Sequence, residues 1–159
     1  FISEPGRGSR FWIELPAEPK AVPGRSDGAE IGGKRCLALY VDSDSAGVAL
    51  VGRILGTLPR LHLVAAGNIA DAEAAAAAMR PDIVILDVDS GGDLDEGDLR
   101  RLVLSSVAAR IPVVTIASAA VDLGIGPQSE WVRCLRKPIA APELLTAVIG
   151  LLRPREAAA

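Results

Sequence analysis

Aromatic side chains are nearly missing from this sequence, with two Phe, two Trp and one Tyr among 159 residues. Its core must therefore be packed from Ala, Val, Leu and Ile, which suits a chain that is 50% apolar and 23% charged. That balance belongs to a globular protein and excludes wholesale disorder. An excess of basic charge is also absent. The formal net charge of −3 leaves no electrostatic footprint for nucleic acid or an anionic membrane surface, so neither partner is expected. No apolar run reaches membrane-spanning length, and no secretory signal opens the chain. Cysteine is scarce: Cys36 and Cys134 have no metal-site spacing and make no disulfide framework. Both are expected as buried, reduced thiols in core strands of a cytoplasmic protein. The first residue is Phe1 rather than Met, which raises the expectation of a piece of a longer chain.

The length suits one ordinary domain plus an extension. Residues 1–16 stand apart: Gly6, Gly8 and Ser9 read as a turn, followed by a short strand through Phe11, Trp12, Ile13 and Leu15 that ends at Pro16. Residues 17–33 collect Pro, Gly, Glu, Ser and Asp without apolar period and read as a linker. The domain spans 34–153, with a tail at 154–159. Within it, short apolar runs at 36–41, 61–66, 83–86, 112–116 and 131–135 alternate with helical patterns at 46–58, 71–79, 96–107 and 142–152. Asn68 or Asp71 is a plausible N-cap, and Pro142 fits the first turn of the last helix. Such alternation predicts an α/β domain, a doubly wound five-stranded parallel sheet of flavodoxin-like order 2-1-3-4-5. Residues 121–130 contain Gly124, Gly126 and Pro127, so a fourth helix there is expected to be poorly formed.

In a sheet of this kind the working site lies beyond the carboxyl ends of the strands. The residues that follow the strands are Asp42, Ser43 and Asp44, then Asp87 and Asp89, then Ala117 and Ser118, and finally Lys137 and Pro138. Converging carboxylates repel one another unless a cation joins them, and a hard ion such as Mg2+ prefers oxygen ligands. The candidate metal ligands are Asp42, Asp44, Asp87 and Asp89. A central carboxylate can attack a phosphoryl group, and a lysine beside it can pair with the transferred charge. Asp87, at the end of the most apolar strand, is the expected nucleophile, and Lys137 the phosphate-side cation. The plainer alternative for the first loop is that Asp44 or Ser45 simply caps the first helix.

The blocks Tyr40-Val-Asp-Ser-Asp44, Pro81-Asp-Ile-Val-Ile-Leu-Asp87, Ile111-Pro-Val-Val114 and Arg136-Lys-Pro-Ile139 resemble the response-regulator receiver family over about residues 35–153. The resemblance implies that Asp87 is the phosphoacceptor of a two-component phosphorelay and that Lys137 is the family's lysine, followed by a cis peptide at Pro138. It also implies Mg2+ as cofactor and a histidine-kinase or phosphotransfer domain as partner. The segment Pro5-Gly-Arg-Gly-Ser-Arg-Phe-Trp-Ile-Glu-Leu-Pro16 resembles the end of a histidine-kinase ATP-binding domain. A remnant of that domain ahead of a receiver is the order found in a hybrid sensor kinase.

The departures from the family fall on its switching parts. Ser43 stands where a second adjacent acid is usual, with Asp44 displaced by one residue. Ala117 takes the place of a phosphoryl-sensing hydroxyl, and Ser118 is a displaced hydroxyl one position later. Cys134 takes the aromatic switch position. The loop after Asp87 lacks the usual proline and carries Asp89, Asp93, Asp95 and Glu96. These changes support an alternative: a degenerate receiver that regulates by binding or docking without phosphorylation. A cyclic dinucleotide is one expected ligand for it, on a face made by Trp131, Arg133 and Arg136. Flavin binding is disfavoured because Asp42 and Asp44 would face the flavin phosphate.

Overall fold

In the computed structural model, residues 2–4, 8–10, 34–89, 96–120 and 129–153 are described. Near the amino end, strands β1 (Ile2–Glu4) and β2 (Gly8–Arg10) pair antiparallel, with Ser3 opposite Ser9. Gly8 and Ser9, expected in a turn, thus belong to a strand. Cross-strand pairing with three residues that show no strand pattern of their own overrides the local preference for a bend. The expected strand at 11–15, the linker, the fourth-helix region at 121–128, Asp93, Asp95 and the tail lie outside the described residues.

The domain is built from β3 (Cys36–Val41), α1 (Ser45–Leu55), β4 (Leu61–Ala66), α2 (Ile69–Met79) and β5 (Ile83–Asp87). It continues with α3 (Glu96–Ala108), β6 (Val113–Ala117), β7 (Val132–Arg136) and α4 (Ala141–Leu152). The five strands β3 to β7 form one parallel sheet in the order β4-β3-β5-β6-β7. Numbered within the domain this is 2-1-3-4-5, the flavodoxin-like order expected from the alternation.

Period-two alternation divides the strand residues between two layers. Ala38, Tyr40, Ile83, Ile85, Val114 and Ile116 pack against α1 and α4 through Val51, Ile54, Leu55, Leu144, Val148 and Leu151. Leu39, Val41, Val84, Leu86 and Val113 face α2 and α3, meeting Ile69, Ala72, Leu99, Leu102 and Val103. Every residue of β5 and β6 is buried, which is why those two runs are almost wholly apolar, with Asp87 at the end of β5 and Thr115 within β6 the exceptions. Both core layers are aliphatic except for Tyr40, the one aromatic ring among their buried residues.

Helix ends follow local chemistry. Asn68 caps α2 by accepting from the Asp71 amide at 2.8 Å. Asp44 caps α1 by accepting from the Ala46 amide at 3.0 Å. Pro142 stands in the first turn of α4, where its missing N–H costs nothing.

The two cysteines part company. Cys36 is buried, as expected, and burial raises its thiol pKa. Cys134 is exposed, against expectation. It lies on β7, an edge strand whose residues are all exposed or half-buried, so an apolar-looking run there does not become core.

Candidate functional site

The switch in strand order falls between β3 and its two neighbours β4 and β5, and the carboxyl ends of β3, β5 and β7 deliver the chemistry. Asp42 follows β3, Asp87 closes β5, and Lys137 follows β7. Asp42, Asp44, Asp87, Asp89, Lys137 and Pro138 line one open cleft of about 500 Å3, with Tyr40, Leu50 and Val51.

At its centre the Lys137 ammonium reaches both oxygens of Asp87, at 2.9 Å and 2.8 Å. The Asp87 carboxylate is buried, with 4% of the residue exposed. Burial opposes the charge on Lys137, but the hydrogen bond and the charge of Asp87 outweigh it and hold the lysine pKa above its ordinary value. The Lys137–Pro138 peptide bond is cis, as the resemblance implied.

Asp42 is equally buried and differently held. Its Oδ2 accepts from the Tyr40 hydroxyl at 2.5 Å and its Oδ1 from the Asp44 amide at 2.8 Å. Tyr40 has no exposure, and burial, reinforced by the bond to Asp42, pushes its phenol pKa well above the usual range. Gly47 lies against this pair: a methyl group there would collide with Asp42 Oδ2 and stand 3.4 Å from the Tyr40 oxygen. Sequence reasoning found Asp42 but missed Tyr40 and Gly47. The available signal was a lone tyrosine two residues before an acid in an aliphatic strand, where alternation puts both on one face.

The other expected ligands have local partners. Asp44 caps α1. Asp89 donates its amide to Asp87 Oδ1 at 3.0 Å, while its carboxylate accepts from the Ser118 amide and lies 3.5 Å from the Lys137 ammonium. The Ser118 hydroxyl, foremost, holds the Asp89 pKa below the usual carboxylate value, with help from the Ser118 amide and Lys137. Ser118, expected as a displaced hydroxyl beside the acceptor, is thus joined to Asp89. Among the described residues, no three acidic, imidazole or thiol side chains stand together as a ready-made metal site.

The arginines of the expected ligand face donate to backbone carbonyls. Arg133 Nη1 donates to the carbonyls of Ser129 and Val132, each at 3.1 Å. Arg136 Nε donates to the Ser118 carbonyl at 3.3 Å. Trp131 is half-buried beside them. This arrangement lends no support to a cyclic dinucleotide site. No helix among the described residues is long and apolar enough to cross a membrane.

No family model matches the chain, and no curated protein does. Solved structures do match. The signal receiver domain of an HD domain-containing protein from Pseudomonas fluorescens is 22% identical, with a TM-score of 0.62 over 75% of this chain and 95% of that one. The signal receiver domain of a DNA binding response regulator from Colwellia psychrerythraea is 21% identical, with a TM-score of 0.60 over 74% of this chain and 98% of that one. The chemotaxis response regulator CheY4 of Vibrio cholerae is 18% identical, with a TM-score of 0.60 over 74% and 99%. The fold is therefore that of receiver domains.

Proposed function

We propose that this domain is the receiver of a two-component phosphorelay and takes a phosphoryl group from a phosphohistidine onto Asp87. The observation that carries the reading is the buried Asp87 carboxylate, gripped on both oxygens by Lys137 at the switch point of the sheet. A buried ion pair seldom stabilises a fold better than apolar packing would. One retained in an open cleft at this edge is better explained by chemistry. The receiver folds of the solved structures support the same reading.

In the transfer, one Asp87 oxygen forms a bond to phosphorus while the P–N bond of the phosphohistidine breaks. The electron pair stays on the imidazole nitrogen, and Asp87 becomes an acyl phosphate. Lys137 shares its charge between the aspartyl group and the incoming phosphoryl oxygens. Asp42 and Asp87 supply oxygen donors of the kind Mg2+ takes. Asp42 accepts from a phenol and an amide, neither of them a cation, so a metal ion there would meet its full negative charge. When bound, Mg2+ would offset the negative charge gathered on the phosphoryl oxygens.

The partner that supplies the phosphoryl group is a histidine-kinase or phosphotransfer domain. The likeness of residues 5–16 to the end of a kinase ATP-binding domain favours a hybrid sensor kinase as the parent. Incubation with acetyl phosphate and Mg2+ should add one phosphoryl mass, lost in Asp87→Asn. A second reading, docking without phosphorylation, is favoured by the engagement of Ser118 with Asp89. It takes precedence if neither acetyl phosphate nor a phosphorylated histidine domain labels the wild type.

A further inference from the structure

Asp89 occupies an unusual place around the acceptor. Its amide donates to Asp87 Oδ1, and its carboxylate turns across the cleft to the end of β6, where the Ser118 amide donates to it. The same carboxylate lies 3.5 Å from the Lys137 ammonium that grips Asp87. Arg136 then ties the Ser118 carbonyl to β7 at 3.3 Å. A backbone amide at the end of β6 and an ammonium at Asp87 are the equipment an anion needs there. In this structure the anion they serve belongs to the protein.

Given the phosphoacceptor reading, on which this inference rests, we propose that Asp89 is an internal competitor of the phosphoryl group. It holds the donors at the ends of β6 and β7 as a phosphoryl group on Asp87 would, and so restrains phosphorylation. A phosphoryl group arriving on Asp87 brings negative charge next to the Asp89 carboxylate and needs the same donors. Asp89 must release Ser118 and Lys137 before the product is stabilised. The barrier to labelling therefore includes breaking its charge-assisted hydrogen bonds. The acidic side chain keeps β6 and β7 tied together in the unlabelled protein.

The test uses the full chain with Mg2+ and acetyl phosphate, whose P–O bond breaks to release acetate as Asp87 is labelled. Labelling rates are compared for wild type, Asp89→Asn and Asp98→Asn, the last a charge control on α3. Asp89→Asn should label about tenfold faster, the factor set by losing one competing charge-assisted hydrogen bond. Asp98→Asn should label at the wild-type rate. A shift of the Ser118 amide resonance in Asp89→Asn alone reads the released donor without any activity.

Equal rates in wild type and Asp89→Asn would overturn the inference and leave the phosphoacceptor reading standing. Slower labelling in Asp89→Asn would also overturn it, and would make Asp89 a ligand or helper. Equal acceleration in both variants would reduce the effect to net charge and sink the proposal. Absence of label in every protein would overturn the phosphoacceptor reading and the inference with it.

Discussion

A phenol, a carboxylate and a glycine decide how Asp42, the buried acid that follows β3, is held. The Tyr40 hydroxyl donates to Asp42 at 2.5 Å within a fully buried setting, and Gly47 leaves room for the carboxylate beneath α1. Tyr40→Phe keeps the ring and removes the donor, leaving a buried carboxylate oxygen short of a partner. The expected loss is about 1–3 kcal/mol, read as a lower urea midpoint at unchanged slope. Gly47→Ala sets two effects against each other. Alanine gains about 1 kcal/mol in helix propensity, while overpacking against a held group costs about 1–3 kcal/mol. Both oxygens of Asp42 are already bonded, so the collision should win and the variant should be less stable. In the Tyr40→Phe background Asp42 is freer to turn, and the cost of Gly47→Ala should shrink by about 0.5 kcal/mol or more. A stabilised Gly47→Ala single variant would show that Asp42 yields easily and that the pair is no clamp.

At the scale of elements, what could be read from the sequence follows from periodicity. Strands buried on both faces announce themselves as apolar runs, and strand ends carrying acids or lysine mark the cleft. Asp42, Asp87 and Lys137 were therefore legible. Contacts between loops were not. The Asp89–Ser118 bond joins residues 29 positions apart, and its existence depends on the conformations of two loops that no local pattern specifies. Cys134 misled for a related reason: β7 is an edge strand, and edge position is a property of the sheet. Asp44 could be read either as cap or as metal ligand, and the structure shows it capping α1. Asp44→Ala should cost about 0.5–2 kcal/mol, while Asp44→Asn, an equally good cap, should retain most of that stability. Mg2+ affinity followed by NMR shifts completes the comparison. A cap alone leaves Asp44→Asn with near wild-type affinity, whereas a tenfold loss would make Asp44 a ligand as well.

For the whole molecule, the question is which stretch of chain carries the cooperative fold. Among the described residues, both buried layers and the half-buried side chains packed against them run from Ala38 to Leu152. The two layers share the sheet, so loss of either strips one face of β3, β5 and β6 and exposes the other. Unfolding should therefore be a single transition, as is usual for one domain of this size. Because both described layers lie within 34–153, a chain comprising those residues should unfold in urea at the midpoint of the full chain. It should also show a similar slope, since the slope follows the surface exposed. The Lys137–Asp87 pair lies wholly inside that stretch, so acetyl-phosphate labelling should survive the truncation too. A midpoint lowered well beyond measurement error would mean that the amino-terminal residues cover part of the sheet or its helices. Retained stability with altered labelling would instead make them a regulator of the cleft, acting on Asp87 without contributing to the core.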